Sequence, residues 1–150
     1  MPANKKLQEI LIEEFGKRYL DRVELPQYLY TSLSRKLRPY QDECFRYFTT
    51  FISESYDGKP RQPHLLFHMA TGSGKTLVMA GAMLYLYEQG YRNFLFFVDS
   101  TNIVEKTRDN FLNSASNKYL FAQKIEINGK QIEINEVQNR VKVRESEATF

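Results

Sequence analysis

Residues 68–76 read His-Met-Ala-Thr-Gly-Ser-Gly-Lys-Thr, and the types that matter most are Gly72, Gly74, Lys75 and Thr76. A triphosphate calls for close approach of the backbone, several N–H donors converging on its oxygens, and a compensating cation. Glycines permit the approach because they lack a Cβ. Amides from Gly72 to Thr76, placed at the start of a helix, would form a nest where the dipole favours an anion. In that arrangement Lys75 reaches the β- and γ-phosphates and Thr76 offers its hydroxyl to Mg²⁺, with Thr71 and Ser73 completing the loop. Met69 stands where the general pattern G-x-x-x-x-G-K-[ST] has its first glycine. That glycine makes fewer demands than the later pair, so a larger residue is tolerable. The plainer reading is a Gly-Ser turn with Lys75 solvated. Spacing, residue types and flanking elements together speak against it.

Those flanks have to be a strand and a helix. "HLLFHMA" before the loop is a short apolar run of the kind that forms a buried strand. Lys75 to Gln89 is apolar nearly all round and is followed by Gly90 in the C-cap position. "NFLFFV" (Asn93 to Val98) is a second buried-strand candidate. Strand, glycine loop, helix and strand make a βαβ unit, expected to be parallel and right-handed. Beyond Val98, Asn102 with Glu105 three residues on matches a capping box opening another helix. "KIEINGKQIEI" alternates around Asn128-Gly129, the strongest local signal for a two-residue hairpin. The 125–134 hairpin carries no chemical motif, and the last ten residues show no clear terminal element.

Upstream, Leu7, Ile10, Leu11 and Phe15 recur at helical spacing. Pro26 and "TSLSRK" mark an irregular connection. A second amphipathic helix is expected from Pro39, with Tyr40, Cys44, Phe48 and Phe51 along one face. "YDGKPRQP" closes it with Gly58, Pro60 and Pro63.

Length and composition bound the rest. A chain of 150 residues can bury one real core. Its net charge of +3 permits an anionic partner without arguing for one. Cys44 is the only cysteine, which excludes an internal disulfide or a cysteine-based metal site and suits a small buried apolar role in a reducing compartment. His64 and His68 belong to no metal-like cluster and are expected to be packing or surface residues. The N-terminus mixes charge into its apolar residues, unlike a signal peptide. Leu77 to Tyr87 is well short of the ~20 residues that span a bilayer. The expectation is a cytoplasmic protein with no membrane role.

"MATGSGKT" resembles motif I of superfamily 2 helicases and translocases, roughly A-x-x-G-x-G-K-T, which often lacks the first glycine. "LRPYQDECFRYF" (Leu37 to Phe48) resembles the R-P-Y-Q segment upstream of motif I, and "FLFFVDSTNIVEKTRDNF" their motif Ia region. The subgroup is the restriction-enzyme-like family, which includes motor subunits of type I and type III restriction endonucleases. The resemblance covers about Leu37 to Phe111. It implies a P-loop NTPase (RecA-like) α/β fold with a partial parallel sheet and flanking helices. Residues 1–36 would be an N-terminal helical extension, and 37–150 the first part of lobe 1.

The resemblance also implies ATP and Mg²⁺ as cofactors, with Lys75 and Thr76 at the reacting phosphates. Gln41 would read adenine through an amide that donates and accepts at once, and Arg38 or Tyr40 would lie near the base. Ser100, Thr101 and Asn102, with Lys106 and Arg108 nearby, would hold one strand of double-stranded DNA by its backbone; Thr101 or Asn102 could equally just cap the helix. A modification (methyltransferase) subunit is a further partner that the family allows.

The family's acidic D-E-x-x motif, which binds Mg²⁺ and orients water, does not follow motif Ia in this sequence. Asp42-Glu43 precedes motif I on an expected surface helix and is rejected for that role. The expectation is therefore an N-terminal piece of a DNA translocase or helicase, not hydrolytic by itself. Two alternatives stand beside it: another P-loop ATPase or kinase, and a non-catalytic P-loop-like module that binds a partner or DNA.

Overall fold

Helices appear where the apolar spacing asks for them. The computed structural model describes residues 5–98 and 100–137. α1 (Leu7–Phe15) buries Leu11 and stops at Gly16. Two single turns follow, α2 (Lys17–Leu20) and α3 (Tyr28–Thr31), the second inside the stretch expected to be irregular.

α4 spans Pro39–Ser53, with proline in the first turn, where a missing N–H costs no helix bond. Its far end is closed by Lys59, whose Nζ donates to the carbonyls of Ile52 (2.9 Å) and Glu54 (2.7 Å). The expected apolar face is partly corrected. Phe48 and Phe51 are buried, but Gln41 and Phe45 lie inside with them, while Tyr40 is exposed and Cys44 only half-buried. The reason is what lies over each turn: Phe45 faces the next helix, and Tyr40 faces the glycine loop. Burial nonetheless pushes the Cys44 thiol pKa up.

α5 (Lys75–Glu88) begins after Gly74, whose left-handed φ of 81° turns the chain into the helix. Its C-terminus is wrapped by Gly90 N–H to Tyr87 O and Tyr91 N–H to Leu86 O, both 3.0 Å. Arg92 lies over the Tyr87 ring, 4.1 Å from its centroid, a cation–π contact beside the helix end. α4 and α5 meet at Gly81, where any Cβ would overlap the fully buried ring of Phe45.

α6 (Thr101–Leu112) starts two residues earlier than a box capped by Asn102 allows. Ser100 is the N-cap in extended conformation, and no side chain caps the helix, so the Asn102–Glu105 capping box is not formed. Asn102 lies within the first turn, where its side chain cannot take the N-cap position.

The hairpin forms as expected. β1 (Ile125–Ile127) pairs antiparallel with β2 (Lys130–Ile132), Ile125 opposite Ile132. Asn128 (φ 51°) and Gly129 (φ 75°) are both left-handed, as a type I′ turn requires. Glu88 at the end of α5 accepts from Asn128 Nδ2 (3.0 Å) and from the Tyr28 hydroxyl (2.8 Å). Burial, with the Glu88 carboxylate against it, holds the Tyr28 phenol pKa far above its ordinary value.

The main core draws on both sides of position 36. Leu29, Leu33 and Leu37 pack with Phe45, Val78 and Phe121. A smaller cluster of Leu11, Leu20 and Phe51 lies beside it. Ser32 anchors the early segment to the late one: its carbonyl accepts from Ala122 N–H at 2.9 Å, and its hydroxyl meets the backbone of Glu126.

The parallel βαβ pairing is the main departure from expectation. Among the described residues the one sheet is the two-stranded hairpin, and neither 64–70 nor 93–98 forms a strand. Leu66, Leu95 and Phe97 are 90%, 82% and 89% exposed. A strand takes its hydrogen bonds from a neighbour, and neither segment has one within the described residues. Residues 141–150, read as lacking a terminal element, lie outside the described residues, as does Asp99. No helix among those described is long and apolar enough to cross a membrane.

Candidate functional site: the glycine loop and the start of the fourth helix

The loop turns on two left-handed glycines, Gly72 (φ 77°) and Gly74 (φ 81°). Gly74 is doubly constrained: an added Cβ would lie 2.5 Å from Gln41 Nε2. Leu77 and Val78 direct their N–H groups to the Gly74 carbonyl, starting the helix. Among the described residues, the amides of Gly72, Gly74, Lys75 and Thr76 donate to no protein acceptor. Four donors are therefore unengaged at a helix N-terminus, beside an ammonium.

That ammonium is folded back over the loop. Lys75 Nζ donates to the carbonyls of Ala70 (3.0 Å) and Met69 (3.2 Å), and the Ser73 hydroxyl also donates to Ala70 O (2.6 Å). The loop thus wraps around its own cation. Met69 packs against the main core, which fixes the loop's leading end through the larger side chain. Thr76 is half-buried at the second position of α5, and Thr71 is exposed at the rim.

The upstream residues expected at the base are brought to the same loop. Gln41 is 2% exposed. Its Oε1 accepts from Arg38 N–H (2.9 Å), one half of a capping box, and its Nε2 donates to Ser73 O (2.8 Å). The Tyr40 hydroxyl donates to that same carbonyl at 2.8 Å while accepting from Arg38 Nη1 at 2.9 Å. Both functional ends of Gln41 are engaged. Each end keeps one free N–H or lone pair, but the side chain is buried, so facing a base requires the amide to turn outward.

Asp42, set aside as a water-orienting acid, is tied up elsewhere. Arg46 grips it with Nε (3.0 Å) and Nη2 (2.8 Å), and the Tyr30 hydroxyl donates to it. Burial, then Asp42, pushes the Tyr30 pKa up to about 12.

Ser100, Thr101 and Asn102 lie exposed at the N-terminus of α6, with Lys106 exposed one turn on. Arg108 is committed to a two-pronged pair with Glu136 (2.9 and 2.8 Å). His64 and His68 are both exposed. Sequence reasoning did not find the Ser73 carbonyl as the meeting point of Tyr40 and Gln41, because no pattern marks a backbone oxygen. The close approach of α4 and α5 did leave a trace: Gly81, isolated in an otherwise apolar helix.

The chain matches the family model described as the res subunit of type III restriction enzymes, over residues 34–149. It is 42% identical over 110 residues to a Haemophilus influenzae protein described as a probable type III restriction-modification enzyme Res subunit. That alignment covers 70% of this chain and 21% of the relative, so the chain spans about a fifth of that protein's length. No solved structure shows a significant match.

Proposed function

Because the chain belongs to the family of type III restriction enzyme res subunits, we propose that its glycine loop holds ATP–Mg²⁺ for a larger ATP-dependent DNA translocase or helicase. The observation that carries this is the cradle itself: four unengaged amides from Gly72 to Thr76, two left-handed glycines, and Lys75 at the rim. Those groups suit a polyphosphate in charge, donor count and close backbone approach. Lys75 leaves the carbonyls of Met69 and Ala70 for the β- and γ-phosphates, and Thr76 supplies a hydroxyl to Mg²⁺. When bound, ATP–Mg²⁺ supplies the phosphoryl group whose hydrolysis drives movement. This chain's residues bind and orient it.

Gln41 reads the adenine after turning out, with Arg38 beside it. Ser100, Thr101 and Asn102 hold a DNA strand by its phosphates, without reading sequence. Residues 64–70 and 93–98 are the strands of a parallel sheet completed by further chain, which accounts for their exposed leucines and phenylalanines. The substrate is double-stranded DNA, the natural partner a modification subunit, and the setting cytoplasmic.

The 150-residue chain is expected to bind Mg-ATP without steady turnover, and Lys75→Ala to abolish the binding in calorimetry. A wild-type chain that takes up no ATP would favour a non-catalytic module. Steady hydrolysis lost in Lys75→Ala would overturn the view that turnover needs more than this chain. Gln41→Ala is expected to erase preference for ATP over GTP, which another P-loop kinase or ATPase, lacking this adenine reader, would not show.

A further inference from the structure

We propose that Tyr40 is a positioning residue for the phosphate loop rather than a contact to the base. Resting on the proposed function above, the inference concerns how the loop keeps its shape while the base is read. Two donors from adjacent residues, Tyr40 Oη and Gln41 Nε2, converge on one acceptor, the carbonyl of Ser73, each at 2.8 Å. Ser73 lies between the two left-handed glycines, so its carbonyl fixes the peptide that sets the direction of the Gly74 amide. A carbonyl oxygen has two lone pairs, and here both have a donor.

The two donors are not equivalent. Gln41 is buried, and its other end is held by Arg38 N–H, so turning the amide outward to a base takes its Nε2 from Ser73. Tyr40 faces no such conflict. Its phenol has one proton to give, and it gives it to Ser73 O, while its oxygen accepts from the Arg38 guanidinium at 2.9 Å. A cation donating to a hydroxyl polarises it and strengthens the bond the hydroxyl donates in turn. When Gln41 swings to the adenine, Tyr40 retains Ser73, and the amides of Gly74 and Lys75 stay aimed at the phosphates. The geometry divides two tasks between neighbours: Gln41 discriminates, and Tyr40 holds the loop.

The test compares Tyr40→Phe with the wild-type chain in amide chemical-shift titrations with Mg-ATP, Mg-GTP and Mg-tripolyphosphate, which has no base. Loss of one hydrogen bond that shapes the loop is expected to weaken all three ligands alike, by about five- to tenfold, with the ATP-to-GTP ratio unchanged. Loss confined to ATP or GTP, with tripolyphosphate unaffected, would make Tyr40 a base contact and overturn the proposal. So would unchanged binding of all three. A second measurement needs no ligand: amide exchange at Ser73, whose N–H is bonded to Ala70 O, should quicken in Tyr40→Phe while the middle of α5 keeps its protection. Equal exchange rates in the two proteins would overturn the anchoring role. If the wild-type chain binds none of the ligands, the proposed function fails, and the exchange rates alone decide for or against Tyr40.

Discussion

The polypeptide on the two sides of the glycine loop is in opposite condition. After it, α5 buries Leu77, Val78, Ala80 and Leu84 and closes its C-terminal end, leaving the amides of its first turn open. Before it, residues 64–68 leave Leu66 90% exposed and form no ladder among the described residues, although this run is as apolar as the helix. Composition does not separate them; the source of their hydrogen bonds does. A helix pairs its own N–H and C=O groups four residues apart, and needs a neighbour only for its apolar face. A strand needs a neighbour for its backbone as well. The loop lies between a helix whose backbone bonds are made within the chain and a segment with no ladder among the described residues, and α4 is what steadies it.

The sharpest way to break that comparison is to remove the contact between the complete elements. Phe45→Ala is expected to cost about 3–5 kcal/mol in urea unfolding, because a fully buried ring against Gly81 leaves a cavity. A loss below about 1 kcal/mol would show that α4 and α5 stand without each other. Next in size, Gly74→Ala should weaken Mg-ATP binding by about tenfold or more. An alanine at φ 81° carries about 1–2 kcal/mol of strain, and its Cβ would also push against Gln41 Nε2. Wild-type affinity in that variant would mean the loop has slack that its contacts do not suggest.

On the other side of the loop the expected effect nearly vanishes. Leu66→Ser should change stability by less than about 0.5 kcal/mol in this chain, since the side chain is already in water. A cost of more than about 1 kcal/mol would place Leu66 inside a core and dissolve the contrast. The smallest effect concerns α6. Hydrogen bonds from Ser116 and Asn113 hold the Asp109 carboxyl below its ordinary range. Its folded pKa is lower than its unfolded one, so its contribution is present above about pH 4 and fades as acid carries the pH through the folded value. In an NMR titration the last turn of α6 should loosen under acid while α4 and α5 keep their protection. Asp109→Asn should remove that pH dependence, and an Asp109 that titrates like a free aspartate would sink the idea.

Much of this was legible beforehand where the signal is local. The helical spacing of Leu7 to Phe15, Pro39 as a helix start, the Asn128-Gly129 turn and the need for Cβ-free residues at Gly72 and Gly74 each depend on a few neighbouring residues. The misreadings share a cause. Tyr40 and Cys44 were placed on the buried face of α4 by periodicity, which cannot know that Phe45 meets Gly81 thirty-six positions on. Asn102 and Glu105 had the right spacing for a capping box, but Ser100 one residue before the helix took the N-cap position.

By itself, the sequence determined the loop: its glycines, its lysine, its threonine and the helix that follows are set by backbone sterics and local hydrogen bonding. Only the tertiary structure decided what the loop rests on. Tyr40 and Gln41 meet Ser73 across more than thirty residues of chain, through an oxygen that every residue carries and that no pattern can single out. The tertiary structure likewise left Leu66, Leu95 and Phe97 uncovered, because burial of an extended apolar segment depends on which neighbours are present and not on its own residues.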